Sequence, residues 1–294
     1  MSIHKTAGIV KGIERFFQDL YGSLSGFAKV ILISKFKIKL PEAKGTDCVV
    51  LGNGPSLKKT ILEYKEVLVK MPLLCVNNFA TSPEFHELKP CYYVILDPGF
   101  FIQKQRPDIV ATFNELKNNT NWHVDLFVPY LYRKDVDIQA LQKANSFVKL
   151  SFFNYTVVKG FDFIAFKLFR NNLAMPQFYN VLGASAFLGI NMGYKNVWLV
   201  GADHSWFKDI YVNEDNHLTR KDHHFYDTNE PPFITVNDPV TGKIQKQGAF
   251  FHALYRIFES YYLLDNYALT RKCSIYNASE VSYIDAFERK KMID

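Results

Sequence analysis

Apolar residues recur along this chain in two rhythms, and the change between them falls near residue 45. Before it, Ile9, Ile13, Phe16, Leu20, Leu24, Phe27 and Ile31 stand three or four positions apart, with Lys11, Glu14, Arg15, Asp19 and Lys29 between them. That spacing predicts an amphipathic helix over 8–34, or a helical hairpin broken near Gly22 to Gly26. Lys35-Phe36-Lys37-Ile38-Lys39 follows, alternating cation and apolar group in a way that suits an acidic lipid surface. The same pattern suits a helix packed on the domain or on a second subunit.

Beyond residue 45, short apolar and β-branched runs alternate with helical periods. Strands are expected at 47–51, 73–77, 91–96, 124–128, 147–151, 196–200 and 273–276. Helices are expected from the first strand's turn to about 70, briefly after 77, and over 106–117, 182–193 and 250–268. The alternation defines an α/β fold, a Rossmann-like, doubly wound and mostly parallel sheet. The chain thus divides into a docking segment, 1–44, and a nucleotide-binding domain, 45–294. Residues 203–247 break the rhythm: they are polar, hold Pro231, Pro232 and Pro239, and carry four of the eight histidines. A long connection inside a domain is usually functional, so a lid is expected at about 205–247.

Composition adds limits. At 294 residues and 48% hydrophobic content the chain can bury a substantial core, which accounts for most of its 26 Phe and 17 Tyr. The formal charge of +6 is concentrated near the N-terminus, pointing to an anionic membrane surface or substrate and not to nucleic acid. Cys48, Cys75, Cys91 and Cys273 stand singly and read as buried thiols in a reducing compartment. No signal-peptide core or uninterrupted apolar span stands out, so the expected location is cytoplasmic, peripheral on the inner face of the cell membrane.

The candidate chemistry lies where the strands end. Val49-Val50-Leu51 runs into Gly52-Asn53-Gly54-Pro55-Ser56, whose glycines let the backbone pass close to a ligand and whose proline suits a first helical turn. Helix N–H groups there favour an anion, and Asn53 adds an amide suited to phosphate or ribose. A plain strand-to-helix turn capped by Ser56 is the alternative. The other strand ends are Asn77-Asn78, Asp97-Pro98-Gly99 and Gly201-Ala202-Asp203-His204-Ser205. Together they predict a nucleotide or nucleotide-sugar pocket at the carboxyl edge of the sheet. Asp203, His204, His217, His223, His224 and Asp227 are types that ligate metals, but their spacing matches no strong zinc pattern. Asp135-Val136-Asp137 matches Asp-x-Asp formally and reads as a helix start. No metal or other cofactor is expected.

Three blocks carry a resemblance: Gly52 to Leu57, Cys75-Val76-Asn77-Asn78-Phe79, and Gly193-Tyr194-Lys195-Asn196-Val197-Trp198-Leu199-Val200-Gly201-Ala202-Asp203. In the same order they resemble blocks of the bacterial family-42 sialyltransferases of lipooligosaccharide synthesis. The first turn also resembles a wider group that includes archaeal 6-hydroxymethylpterin diphosphokinase and flagellin-glycosylation accessory factors. The resemblance spans about 45–285 and implies a Rossmann-like domain with a lid that binds a CMP-sugar donor without a catalytic metal. It implies that Asn53 and Asn77 contact phosphate and ribose and that Gly201–Ser205 faces the cytidine. It implies a histidine base in the place of His252, which otherwise reads as a helix-start histidine bonded to backbone. Of two tyrosines that steady the family's leaving phosphate, Tyr211 matches one, Ser205 replaces the other, and Tyr226 is a substitute. Asp97 stands where the family has asparagine.

The expected function is therefore an inverting glycosyltransferase. It would move an acid sugar, sialic or related, from CMP to a glycan or glycolipid acceptor, with His252 as base and Tyr211 or the lid residues His223, His224 and Tyr226 on the phosphate. The alternatives are a Mg-dependent pterin pyrophosphokinase and a non-catalytic nucleotide-binding scaffold subunit. A homo-oligomer is compatible with either class.

Overall fold

Strands this short and this apolar must be covered on both faces, and the computed structural model, which describes residues 2–238 and 241–292, covers them so. Its strands are β1 Asp47–Leu51, β2 Leu73–Val76, β3 Tyr92–Val94, β4 Val124–Pro129, β5 Val148–Phe153, β6 Asn196–Val200, β7 Ile210–Val212, β8 Leu218–Arg220, β9 Ile234–Thr235, β10 Ser274–Asn277 and β11 Glu288–Arg289. Its helices are α1 Ser2–Ile33, α2 Leu57–Leu68, α3 Pro83–Leu88, α4 Gly99–Ile102, α5 Pro107–Asn114, α6 Val136–Ala144, α7 Asp162–Arg170, α8 Val181–Met192 and α9 Gln247–Thr270. Eight strands form one parallel sheet in the order β11-β10-β6-β1-β2-β3-β4-β5. The chain winds outward from β1 to β5, returns, and places β6 on the other side of β1. The crevice between β1 and β6 is thus the point where the winding reverses.

The period of two within each strand sorts side chains into two cores. Cys48 and Val50 of β1 join one with α8 and α9, while Val49 and Leu51 join the other with α2, α3 and α5. Each fully buried Val or Leu among them stabilises the fold by about 1.5–3 kcal/mol. Helix α8 is buried nearly all round. Asn180 caps it, its Oδ1 accepting from Gly183 N–H at 3.0 Å, and Gly193 ends it with a φ of 105°.

Helix α1 is continuous, not a hairpin. Gly22 and Gly26 act instead as a flat seat: a Cβ on Gly26 would lie 2.6 Å from Val158 Cγ1. Ser23 Oγ accepts from Phe161 N–H at 3.0 Å, and Ser34 Oγ lies 2.7 Å from both Thr156 Oγ1 and Leu173 O. Helix α1 therefore packs on the domain along the side that carries Ser23, Gly26 and Val30. In the segment expected as a lid, β7, β8 and β9 form a small antiparallel sheet, and Pro239 lies outside the described residues. Among the described residues no helix is long and apolar enough to cross a membrane.

Candidate functional site

The two turns that flank the reversal point grip each other. Gly52 N–H donates to Val200 O at 2.8 Å and Gly54 N–H to Gly201 O at 2.9 Å. Ser56 N–H donates to Asp203 Oδ2 at 3.0 Å, and Ser56 Oγ donates to Asp203 Oδ1. The anion expected at the start of α2 is therefore supplied by the chain itself. A phosphate there would face a carboxylate at close range, so the cradle role of Gly54 and Ser56 gives way to the plain structural turn. The glycines are required by this approach: a Cβ on Gly54 would lie 2.5 Å from Asp203 Oδ1 and 2.6 Å from Gly201 O. Burial raises the Asp203 carboxyl above its ordinary value, against the hydrogen bonds from Ser56.

His204, next in the chain, takes a left-handed φ of 55° and is buried. Its Nε2 lies 2.6 Å from the Tyr261 hydroxyl, which donates to Asn180 Oδ1 at 3.0 Å. Burial lowers its pKa to about 3, so the ring is neutral and joins β6, α9 and the start of α8. Such a residue cannot face a cytidine directly. Ser205 is half-buried just beyond, its carbonyl accepting from Lys208 N–H.

The remaining polar strand ends do gather. Asn53 Nδ2 donates to Val76 O at 3.3 Å, while Asn53 Oδ1 is buried with no hydrogen-bond partner among the described residues. Asn77 has a φ of 46°, a conformation that asparagine tolerates, and its Oδ1 accepts from Leu96 N–H at 3.5 Å. The segment expected as a lid reaches this edge: Phe225 N–H donates to Asn53 O at 3.1 Å, and its ring lies 5.4 Å from that of Phe79. Tyr226 follows, stacked on His224 at 5.0 Å. Burial, then the charges of Asp227, Asp222 and Asp108, push its phenol up, so it stays a hydrogen-bond donor.

Arg106 and Asp108 are the members of this edge that sequence reasoning missed. Arg106 holds Asp108 through Nε and Nη2 and stands 4.0 Å from Asp97 Oδ2. Asn78 Nδ2 donates to Asp108 at 2.8 Å, and Asp97 Oδ1 accepts from Gly99 N–H at 2.8 Å. Burial alone would raise the Asp108 carboxyl, but the hydrogen bonds from Arg106 and Asn78 outweigh it and hold it below the ordinary value. An open depression of about 500 Å³ adjoins, lined by residues 102–107. The only sequence signal was Arg106-Pro107-Asp108, a loop end at a helix start.

Other candidates lie apart. Tyr211 is exposed on β7, edge-on to Phe233 at 4.6 Å, and His217 sits at the β7–β8 turn. His223 pairs with Asp209 at 3.2 Å and His224 with Asp227 at 3.8 Å. His252 is exposed on α9, its Nε2 accepting from Arg256 Nε at 3.3 Å. No hydrogen bond or ring contact among the described residues joins Tyr211 or His252 to the Asn53–Asn77–Asp97 edge. Asp135 caps α6, and it and Asp137 both hold Lys104, at 2.7 and 2.8 Å. Among the described residues no three His, Cys, Asp or Glu gather as a metal set.

Fold and edge together define a doubly wound α/β protein whose polar strand ends at β1, β2 and β3 gather at one edge of the sheet. The 6-hydroxymethylpterin diphosphokinase MptE-like family matches residues 23–209, well over half the chain, and the chain belongs to that family. A solved structure of MAf glycosyltransferase from Magnetospirillum magneticum AMB-1 is similar at 9% identity and a TM-score of 0.49, over 87% of this chain and 35% of that one. The chain thus spans about a third of that protein's length. No curated protein matches the chain significantly.

Proposed function

We propose that this protein is an inverting glycosyltransferase that takes a CMP-activated acid sugar at the β1–β3 edge and passes it to a glycan or glycolipid hydroxyl. The observation that carries the reading is the orphaned Asn53 Oδ1 under the Phe225 lid. Because Nδ2 is committed to Val76 O, the free atom is fixed as an acceptor. It calls for a ligand donor, which a ribose hydroxyl or a cytosine amino group supplies and a phosphate does not. Tyr226, held protonated, is then the group at this edge suited to steady the departing phosphate.

His252 is the proposed base on the acceptor side. Helix α9 leads down to β10, so its first turns rise beyond the carboxyl edge; His252 lies about 13 Å earlier along the helix than Tyr261, at 1.5 Å per residue. Accepting from Arg256 requires Nε2 to be unprotonated, the state a base needs.

The family description raises pyrophosphoryl transfer, which needs Mg²⁺ held by carboxylates. Asp97 and Asp108 do not fit that ion, because the Arg106 guanidinium already sits between them. Thermal shifts with CMP, CDP, UDP, GDP and ATP, each with and without Mg²⁺, separate the two. CMP is expected to stabilise without metal, by about 2.7 kcal/mol at roughly 100 times its Kd. Asn53→Ala should lose most of that shift. His252→Gln should keep it and lose about 10²–10⁴-fold in transfer. Stabilisation by ATP with Mg²⁺ alone would overturn the glycosyltransferase reading.

A further inference from the structure

Helix α1 leaves one apolar side uncovered. Gly22, Ser23, Gly26 and Val30 turn towards residues 158–161 or into the core. Ile9, Ile13, Phe17, Leu24, Phe27 and Ile31, on the adjoining side, stay exposed, Phe17 at 62% and Leu24 at 65%. At 1.5 Å per residue this stripe is about 33 Å long. An aromatic ledge widens it: the Phe16 and Phe161 rings lie 5.5 Å apart, and Phe161 stacks at 5.7 Å on Phe163, itself 74% exposed. A contiguous apolar surface of this size marks an interaction site.

Charge selects the occupant. Residues 1–44 hold eight Lys and Arg against three Asp and Glu, nearly the whole of the chain's +6 excess. Lys11, Lys29, Lys35, Lys37 and Lys39 are exposed beside the stripe. A second copy seated on the same stripe would bring two basic rims together, which is unfavourable, whereas an anionic bilayer would neutralise both. No described helix can span a membrane, so the contact is one of lying on the surface.

We propose that the Ile9–Ile31 stripe of α1, with the Phe161–Phe163 ledge and its lysine rim, seats this protein on an anionic lipid surface. The docked side adjoins the acceptor end of the site. Lys159, beside Gly22, has its ammonium pKa lowered by burial and by the charges of Arg256 and Lys29, and Arg256 is the residue bonded to His252. A lipid-borne acceptor would therefore arrive near His252; that consequence rests on the proposed function, while the docking itself does not.

The test is co-sedimentation of the full chain with phosphatidylcholine vesicles, with and without phosphatidylglycerol. Binding to the anionic vesicles alone, weakened by salt, is expected. Phe17→Ser with Leu24→Ser should reduce it by about tenfold or more. Lys35→Glu, Lys37→Glu and Lys39→Glu should each reduce it by about fivefold. These side chains are exposed, so melting temperature and CMP binding should not change, which keeps failure of docking distinct from failure of the catalytic reading. No binding to anionic vesicles would overturn the proposal. So would a dimer that the Phe17→Ser/Leu24→Ser variant dissociates while leaving vesicle binding intact.

Discussion

At the scale of single residues, His204 sets a measurable sign. Its ring is sealed among Trp206, Phe258 and Tyr261, and this burial lowers its pKa to about 3, whereas an unfolded histidine takes up its proton at about 6.5. Below about pH 6.5 the unfolded chain therefore binds a proton that the folded one does not, and stability falls as the pH falls. The slope from this residue is at most about 1.4 kcal/mol per pH unit. Asp203 works the other way: burial raises its carboxyl, so its contribution is present at low pH and lost as pH rises through its folded value. Urea unfolding between pH 7.5 and 5 of the parent and of His204→Gln isolates the histidine, since glutamine can still meet the Tyr261 hydroxyl but does not titrate. The parent should weaken towards pH 5 more steeply than the variant. Equal slopes would mean that His204 is not held neutral.

At the scale of elements, one side chain holds the 221–230 part of the long segment, whose β8 and Val236 are anchored separately in the main core. Phe225 is buried against Phe79 and its N–H is bonded to Asn53, whereas the flanking stretch from Asp227 to Glu230 is exposed. Phe225→Ala should leave the sheet folded but release this segment. Limited proteolysis between 221 and 230 should quicken and CMP stabilisation should fall about tenfold in affinity, as expected when a segment must be ordered on binding. Unchanged cleavage and affinity would show that the lid is held elsewhere. How far these elements were legible follows from their physics. The central parallel strands were readable because two-sided burial demands uninterrupted apolar runs, as in Asp47–Leu51 and Asn196–Val200, whereas β5 and β10 carry exposed Lys149 and Ser274 and were readable from their apolar remainder. Strands β7 to β9 were not, being only two or three residues long. Gly22 and Gly26 suggested a break in α1 because a glycine looks alike in sequence whether it bends a helix or lets another backbone close on it. The polar strand ends were legible for the same reason as the strands. That Asp203 fills the turn at Ser56 was not, because it depends on the register that pairs Leu51 with Val200. Arg106 was hidden in a loop without period.

At the scale of the whole molecule, the sheet itself can be timed by its thiols. All four cysteines are free, and Cys48, Cys75 and Cys273 are buried on or beside β1, β2 and β10, while Cys91 is half-buried ahead of β3. Burial raises each thiol; Cys273 is pushed up to about 12, and Cys48 and Cys75 stand well above the ordinary value. Only the thiolate reacts readily, so access and ionisation both wait on opening of the sheet. Cys48 and Cys273 face the core under α8 and α9 and Cys75 faces the opposite core, so exposing all three thiols means lifting the helices from both faces of the sheet whose strands lead to Asn53, Asn77 and His204. Labelling with a thiol reagent under native conditions should therefore modify Cys91 first and the other three together, slowly, at a rate that rises with urea as global unfolding does. A CMP donor at the proposed β1–β3 site should slow the three without changing their order, because a ligand that binds only the folded chain raises its stability. Separate labelling rates for Cys48 and Cys75 would instead mean that the helices on one face of the sheet lift before those on the other, and that the molecule opens face by face and not as one unit.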